Sequence, residues 1–135
     1  MNNKKFRVWD NIQKKFEYFE LGNITVADRL LSQYSYPVQQ FLGILDSRMK
    51  EVYEGDVVKG REIMKMKSGI KDIYGFGGLE VMGEVVYSYD LCCYVVDWYH
   101  KISDIHLDSL EIIGNMIEDY MYDESGELVK KLALS

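Results

Sequence analysis

The sequence predicts a mainly β domain, α+β only at its margins: a bent antiparallel sheet or small SH3-like barrel with one or two short helices. Three observations carry that expectation. Aromatic and β-branched residues gather in short runs with local alternation, glycine and acidic residues separate those runs, and only two stretches favour a helix. At 135 residues the chain is expected to form one domain. By area scaling it hides about two-thirds of its unfolded surface, enough for a core without a disulfide or metal.

Phe6-Arg7-Val8-Trp9-Asp10 and Phe16-Glu17-Tyr18-Phe19-Glu20 flank the polar stretch Asn11 to Lys15 and read as a β-hairpin. Val26, Ala27, Leu30, Leu31 and Tyr34 recur at helical spacing after Thr25, so a short helix is expected before Pro37. Val38 to Ile44 reads as extended and Asp46 to Lys50 as a turn. Glu51 to Val58 reads as a strand entered or bent at Gly55. Lys59 to Lys71, with five basic residues and two glycines, has no clear period and reads as an exposed connection. Gly75-Phe76-Gly77-Gly78 is a turn signal ahead of a second hairpin, Leu79 to Tyr89 and Leu91 to Tyr99, folded at Asp90. Ser109 to Ile113 reads as a short strand closed by Gly114-Asn115, and Met116 to Leu134 as a terminal helix broken near Ser125-Gly126.

The formal charge of -6 conceals a division. Met1 to Lys71 holds 13 basic and 9 acidic residues, whereas Asp72 to Val129 holds 13 acidic residues and a single basic one, Lys101. A surface of one sign selects partners of the other. No apolar run approaches the roughly 20 residues of a membrane span, and the amino-terminal residues lack the apolar core of a signal peptide, so a cytoplasmic protein with no membrane partner is expected. Cys92 and Cys93 are adjacent, cannot readily pair with each other, and are expected to be reduced and buried in a β core.

Five segments carry a resemblance to a known family. Phe6-Arg7-Val8-Trp9-Asp10, Gln40 to Asp46, Lys50 to Lys59 through Glu54-Gly55-Asp56, Gly83-Glu84-Val85-Val86-Tyr87 and Glu111-Ile112-Ile113-Gly114-Asn115 resemble, in order and spacing, the motifs of the YopX family. The resemblance implies a mainly β domain over residues 1–135, encoded by a phage or integrated prophage of a bacterial host. It supplies no catalytic residue and no cofactor. Two departures stand out: Ser47-Arg48-Met49 occupies a loop where the family often has Asn-Gly, and residues 116–135 form an acidic, aromatic tail where the family commonly ends soon after.

Several chemistries can be weighed on the residues themselves. Glu54 and Asp56, two apart on one face of a strand, suggest a hydrolytic pair, but acidic residues flanking a glycine more commonly accept backbone N–H groups at a turn. Cys92, Cys93, His100 and His106 lack zinc-site spacing, so no metal or other cofactor is expected. Gly75 to Gly78 lacks the Lys-Ser/Thr of a phosphate loop, and Asp119 to Glu127 has Met121 and Glu124 where a calcium loop needs a ligand and a glycine. Lys59, Arg61, Lys65, Lys67 and Lys71 are the candidates for a nucleic-acid-binding regulator, a role that the acidic block opposes.

Protein binding is the favoured expectation. Eleven tyrosines, several beside carboxylates, compose an amphipathic contact surface. Its candidate residues are Tyr87, Tyr89, Asp90, Asp97, Trp98, Tyr99, Asp119, Tyr120, Tyr122, Asp123 and Glu124. Tyr120 and Tyr122 are expected on different sides of the terminal helix, one of them exposed. The reading is a non-enzymatic phage accessory protein that binds a host or phage protein or a second copy of itself, or an acidic competitor filling the basic groove of a nucleic-acid-binding host or defence protein.

Overall fold

Eleven strands and one short 3-10 turn make up the secondary structure in the computed structural model, which describes residues 5–20, 36–63 and 79–132. The strands are β1 (Lys5–Asp10), β2 (Lys15–Glu20), β3 (Gln39–Leu45), β4 (Glu51–Tyr53), β5 (Asp56–Arg61), β6 (Glu80–Ser88), β7 (Cys93–Val96), β8 (His100–Lys101), β9 (Glu111–Asn115), β10 (Tyr120–Tyr122) and β11 (Leu128–Lys130). They form a four-stranded sheet ordered β2-β1-β3-β4, a five-stranded sheet ordered β8-β7-β6-β5-β9, and the hairpin β10-β11. Every pairing is antiparallel, the sheets are bent, and no barrel closes among the described residues. No helix among them is long and apolar enough to cross a membrane.

Both predicted hairpins form. In the first, Phe6 faces Phe19 and Trp9 faces Phe16, and the Asp10 carboxylate closes the turn by accepting the Ile12 and Gln13 N–H groups. In the second, Val85 faces Val96 and Tyr87 faces Tyr94, with Asp90 in the turn. The expected extended segment and turn at Val38 to Lys50 become β3 and its following loop, and the expected Ser109 strand begins at Glu111. The expected helix after Thr25, the basic residues from Lys65 to Lys71 and the Gly75 to Gly78 turn lie outside the described residues.

The larger core lies between the two main sheets. Val52 from β4, Val58 from β5, Val81 and Val85 from β6, and Val96 from β7 meet Ile105 and Leu110, with Leu42 and Ile44 of β3 packed against them. Burying a valine or leucine side chain contributes roughly 1.5–3 kcal/mol, so this valine-rich layer supplies the main driving force. Val8 and Phe19 form a smaller cluster within the first sheet.

Several expectations are corrected. Glu51 to Val58 is not one strand: β4 ends at Tyr53, turns through Glu54-Gly55 and resumes as β5 in the other sheet. Gly55 sits at φ +83, where a Cβ would collide with the Gln39 side chain; its N–H donates to the Val85 carbonyl and its carbonyl accepts from Met116. Lys59 and Arg61 belong to β5 rather than to a connection. The terminal helix expected from Met116 is instead, through Leu132, the β10–β11 hairpin, and the last residues of the expected helix lie outside the described residues. The Asn115 side chain accepts the Ile117 and Glu118 N–H groups, the Asp123 carboxylate accepts those of Ser125 and Glu127, and Gly126 takes φ +85. These side-chain bonds outcompete helix formation in a segment whose Tyr-Met-Tyr and Leu-Val runs suit strands. The cysteines are not a buried pair: Cys92 is exposed in the β6–β7 turn at φ 55, and Cys93 is partly buried.

Two buried carboxylates fasten the sheets. Asp56 of β5 accepts from Arg7 Nη2 of β1 at 2.7 Å and from the Tyr53 N–H at 2.8 Å. Asp46 accepts the Arg48 and Lys50 N–H groups at its own turn and the Ile112 N–H of β9 at 3.0 Å. Burial opposes its ionisation, but these three donors together hold its carboxyl below the ordinary value. Replacing Asp56 by alanine strands a buried guanidinium and should cost about 3–5 kcal/mol in denaturant unfolding; an unchanged midpoint would contradict that role. Asp46 contributes stability in full above its ordinary pKa of 3.8 and loses it as pH falls through the lower folded value. The stability gap between wild type and Asp46→Asn should therefore narrow steadily in unfolding curves taken below about pH 4.

Candidate functional site

The candidate binding residues fall on three turns of the acidic part of the chain. At the β6–β7 turn, Tyr87 packs edge-on against both Tyr89 and Tyr94, each at 5.2 Å. Burial, followed by the nearby Glu54 carboxylate, pushes the Tyr94 hydroxyl up to about 12. Tyr89 remains 86% exposed, with Asp90 and Leu91 exposed beside it.

At the other end of β7, Asp97-Trp98-Tyr99 joins β7 to β8. Asp97 and Trp98 hold φ values of 54 and 72 without being glycine, a left-handed pair that costs about 1 kcal/mol or more per residue. The turn lifts Trp98 and Tyr99 into solvent, 60% and 67% exposed. Tyr99 lies against the His100 ring at 4.3 Å, and His100 Nδ1 is in turn paired with the Glu62 carboxylate.

The third turn connects β10 and β11. Because β10 is a strand, Tyr120 and Tyr122 lie on the same side, correcting the helical expectation. Tyr120 is buried against Gly114, where a Cβ would sit 2.8 Å from its ring. Tyr122 packs 6.2 Å from Trp98 and donates from its hydroxyl to Glu84 Oε1 at 2.8 Å. Burial raises the Glu84 carboxyl above its ordinary value, and the Tyr122 hydrogen bond pulls the other way. Asp119 and Asp123 are turn acceptors, for the Asn115 N–H and for Ser125 and Glu127, while Glu124 is exposed at the tip.

The structure thus joins Trp98, Tyr122 and Glu84 in one cluster. It sets Tyr87, Tyr89 and Asp90 apart, at the far end of a four-residue strand and so about 13 Å away. Of the basic candidates, Lys59 lies 3.6 Å from Glu111, which Arg48 also contacts at 2.9 Å; Arg61 is exposed, and Lys65, Lys67 and Lys71 lie outside the described residues. Glu54 accepts the Gln40 N–H and Asp56 holds Arg7, so each carboxylate of the imagined hydrolytic pair has a separate structural partner. Among the described residues no three His, Cys, Asp or Glu side chains are grouped to hold a metal ion.

A cleft of about 400 Å³ escaped the sequence reading. Arg7, Phe16, Tyr18, Tyr53, Lys50 and Glu118 are among its lining, and across Tyr18, Glu51 and Tyr53 it adjoins a second hollow of about 250 Å³. The signal was an arginine inside an aromatic strand. Such a residue is either solvent-facing or, as here, paired within the fold.

Replacing Tyr122 by phenylalanine removes its hydroxyl donor to Glu84 and should raise the Glu84 pKa further, measurable by carboxyl NMR titration. Because the ionised form loses most, the variant should be destabilised by about 1 kcal/mol at pH 7 and by less at pH 4.

No curated protein matches the chain in sequence. The family model described as YopX protein matches residues 21–121, a span that includes β3 to β9 and reaches into β10. Four of the five resembling segments fall inside it, and Phe6-Arg7-Val8-Trp9-Asp10 precedes it. With the match running through most of the sequence and the mainly β architecture in agreement, the chain belongs to the YopX family.

Proposed function

We propose that this YopX-family chain is a non-enzymatic phage or prophage accessory protein that acts in the bacterial cytoplasm by binding another protein. The supporting observation is the presentation of Tyr89, Trp98 and Tyr99, exposed large aromatics, on two turns of the acidic stretch Asp72 to Val129. Tyrosine and tryptophan bury much area for little side-chain entropy, which makes them the usual anchors of protein interfaces. The strained Asp97-Trp98 backbone adds weight, since a left-handed pair without glycine is retained against a local energetic cost.

Flanking carboxylates give the partner its chemistry. Asp90, Asp97 and Glu124 are exposed near these rings, and a basic partner surface complements them. In the specific form of the proposal the chain competes with nucleic acid for a basic groove. The nucleic-acid-binding alternative is less favoured because Lys59 already faces Glu111, and the hydrolytic alternative because Glu54 and Asp56 are engaged in the fold.

Affinity capture from host cells by the full chain tests this. Trp98→Ala with Tyr99→Ala should weaken binding of the captured partner by about 2 kcal/mol, roughly thirtyfold, while melting curves show the variant still folded. Asp90→Lys with Glu124→Lys should reduce the association rate and its salt dependence, and nucleic acid should displace the chain from the partner. Equal affinity of wild type and the double aromatic variant would refute the surface, and simultaneous binding of nucleic acid would refute competition.

A further inference from the structure

The cleft beside Arg7 offers a different chemistry from the aromatic turns. Arg7 is 5% exposed, and its guanidinium lies over the Phe16 and Tyr53 rings, 4.0 and 4.8 Å from their centroids. Nε donates to Gln39 Oε1, and Nη2 donates to Asp56 Oδ1 and the Glu54 carbonyl. Nη1 makes no hydrogen bond among the described residues. Lys50, exposed and also lining the cleft, has an ammonium with no ion pair among them.

The carboxylates around the same space are already engaged. Glu51 is bridged by Lys5 at 2.7 Å and accepts from the Tyr53 hydroxyl, Asp56 is held by Arg7, and Glu118 accepts from the Asn115 amide at 3.0 Å. The unfilled hydrogen-bonding capacity is therefore that of donors, from one guanidinium nitrogen and one ammonium. The apolar capacity is aromatic: Phe16 and Tyr18 lie 6.3 Å apart, Tyr18 and Tyr53 5.6 Å apart, and Tyr18 is largely exposed. The volume of about 400 Å³ is in the usual range for small-molecule sites.

From this geometry we infer that the cleft binds a small aromatic monocarboxylate, its carboxylate accepting from Arg7 Nη1 and Lys50 Nζ and its ring packing on Tyr18 and Tyr53. A single carboxylate suits two separate donors, one oxygen accepting from Arg7 Nη1 and the other from the Lys50 ammonium. A polyphosphate does not suit the site, because Glu51, Asp56 and Glu118 would surround its several charges with like charge. The site is separate from the Trp98 turn and does not depend on the protein-binding reading.

The test is NMR titration of the full chain, at pH 7 and fixed ionic strength, with phenylacetate, neutral phenylacetamide and acetate as probes. Phenylacetate should give saturable shifts at the Arg7 Nε–H and at the amides of Tyr18, Lys50, Tyr53 and Asn115. Phenylacetamide should bind about tenfold more weakly for want of the charge, and acetate should not saturate for want of the ring. Lys50 and Tyr18 are exposed, so variants there keep the fold, which melting curves check. Lys50→Gln should weaken phenylacetate about tenfold and leave phenylacetamide unchanged, and Tyr18→Ala should weaken both. Absence of saturable shifts, equal binding of acid and amide, or shifts centred on Trp98 would overturn the inference.

Discussion

The ion pair between Arg7 and Asp56 is the constraint on which the rest of this architecture depends. One partner comes from the first strand of one sheet and the other from the first residue of a strand in the other sheet. Two desolvated charges are tolerated only when each is well paired, and here the guanidinium has Gln39 and a backbone carbonyl besides Asp56, with the Phe16 and Tyr53 rings against it. The arrangement ties β1 to the turn between β4 and β5. It thereby fixes the spacing between Phe16, Tyr18 and Tyr53, and with it the shape of the cleft.

Acidic residues do more structural than surface work in this chain. Asp10, Asp46, Asp119 and Asp123 each accept backbone N–H groups at a turn, and Asp56 closes the ion pair. A charge count along the sequence treats all of them as equivalent. In the fold, these five are committed to the chain's own turns and sheets, so the count overstates what is left for a partner.

Strands and hairpins were legible where alternation was strong. Val8, Trp9 and Phe16 announced the first hairpin, and the paired runs around Asp90 announced the second. The β10–β11 hairpin was not, because Met116 to Leu134 contains enough helix formers to satisfy a helical reading. What decides against a helix there is a set of side-chain-to-backbone bonds from Asn115 and Asp123, together with the Tyr120 ring closing over Gly114. Such contacts are visible only once the chain has folded back on itself. The same reason hid the cleft: its lining comes from residues as distant as Arg7 and Glu118, and no local pattern joins them. The exposed aromatics of the Asp97 to Tyr99 turn, by contrast, were named from composition alone.

The bonds that fasten the two sheets span long stretches of chain, 49 residues between Arg7 and Asp56 and 66 between Asp46 and Ile112. Closing such loops is entropically expensive, so local hairpins such as β6–β7 assemble first and these fastenings are among the last contacts made. Interactions absent from the folding transition state act on the rate of unfolding rather than on the rate of folding. The buried charges between the sheets therefore set how long each folded molecule survives before it opens, and how long its cleft and turns stay in register.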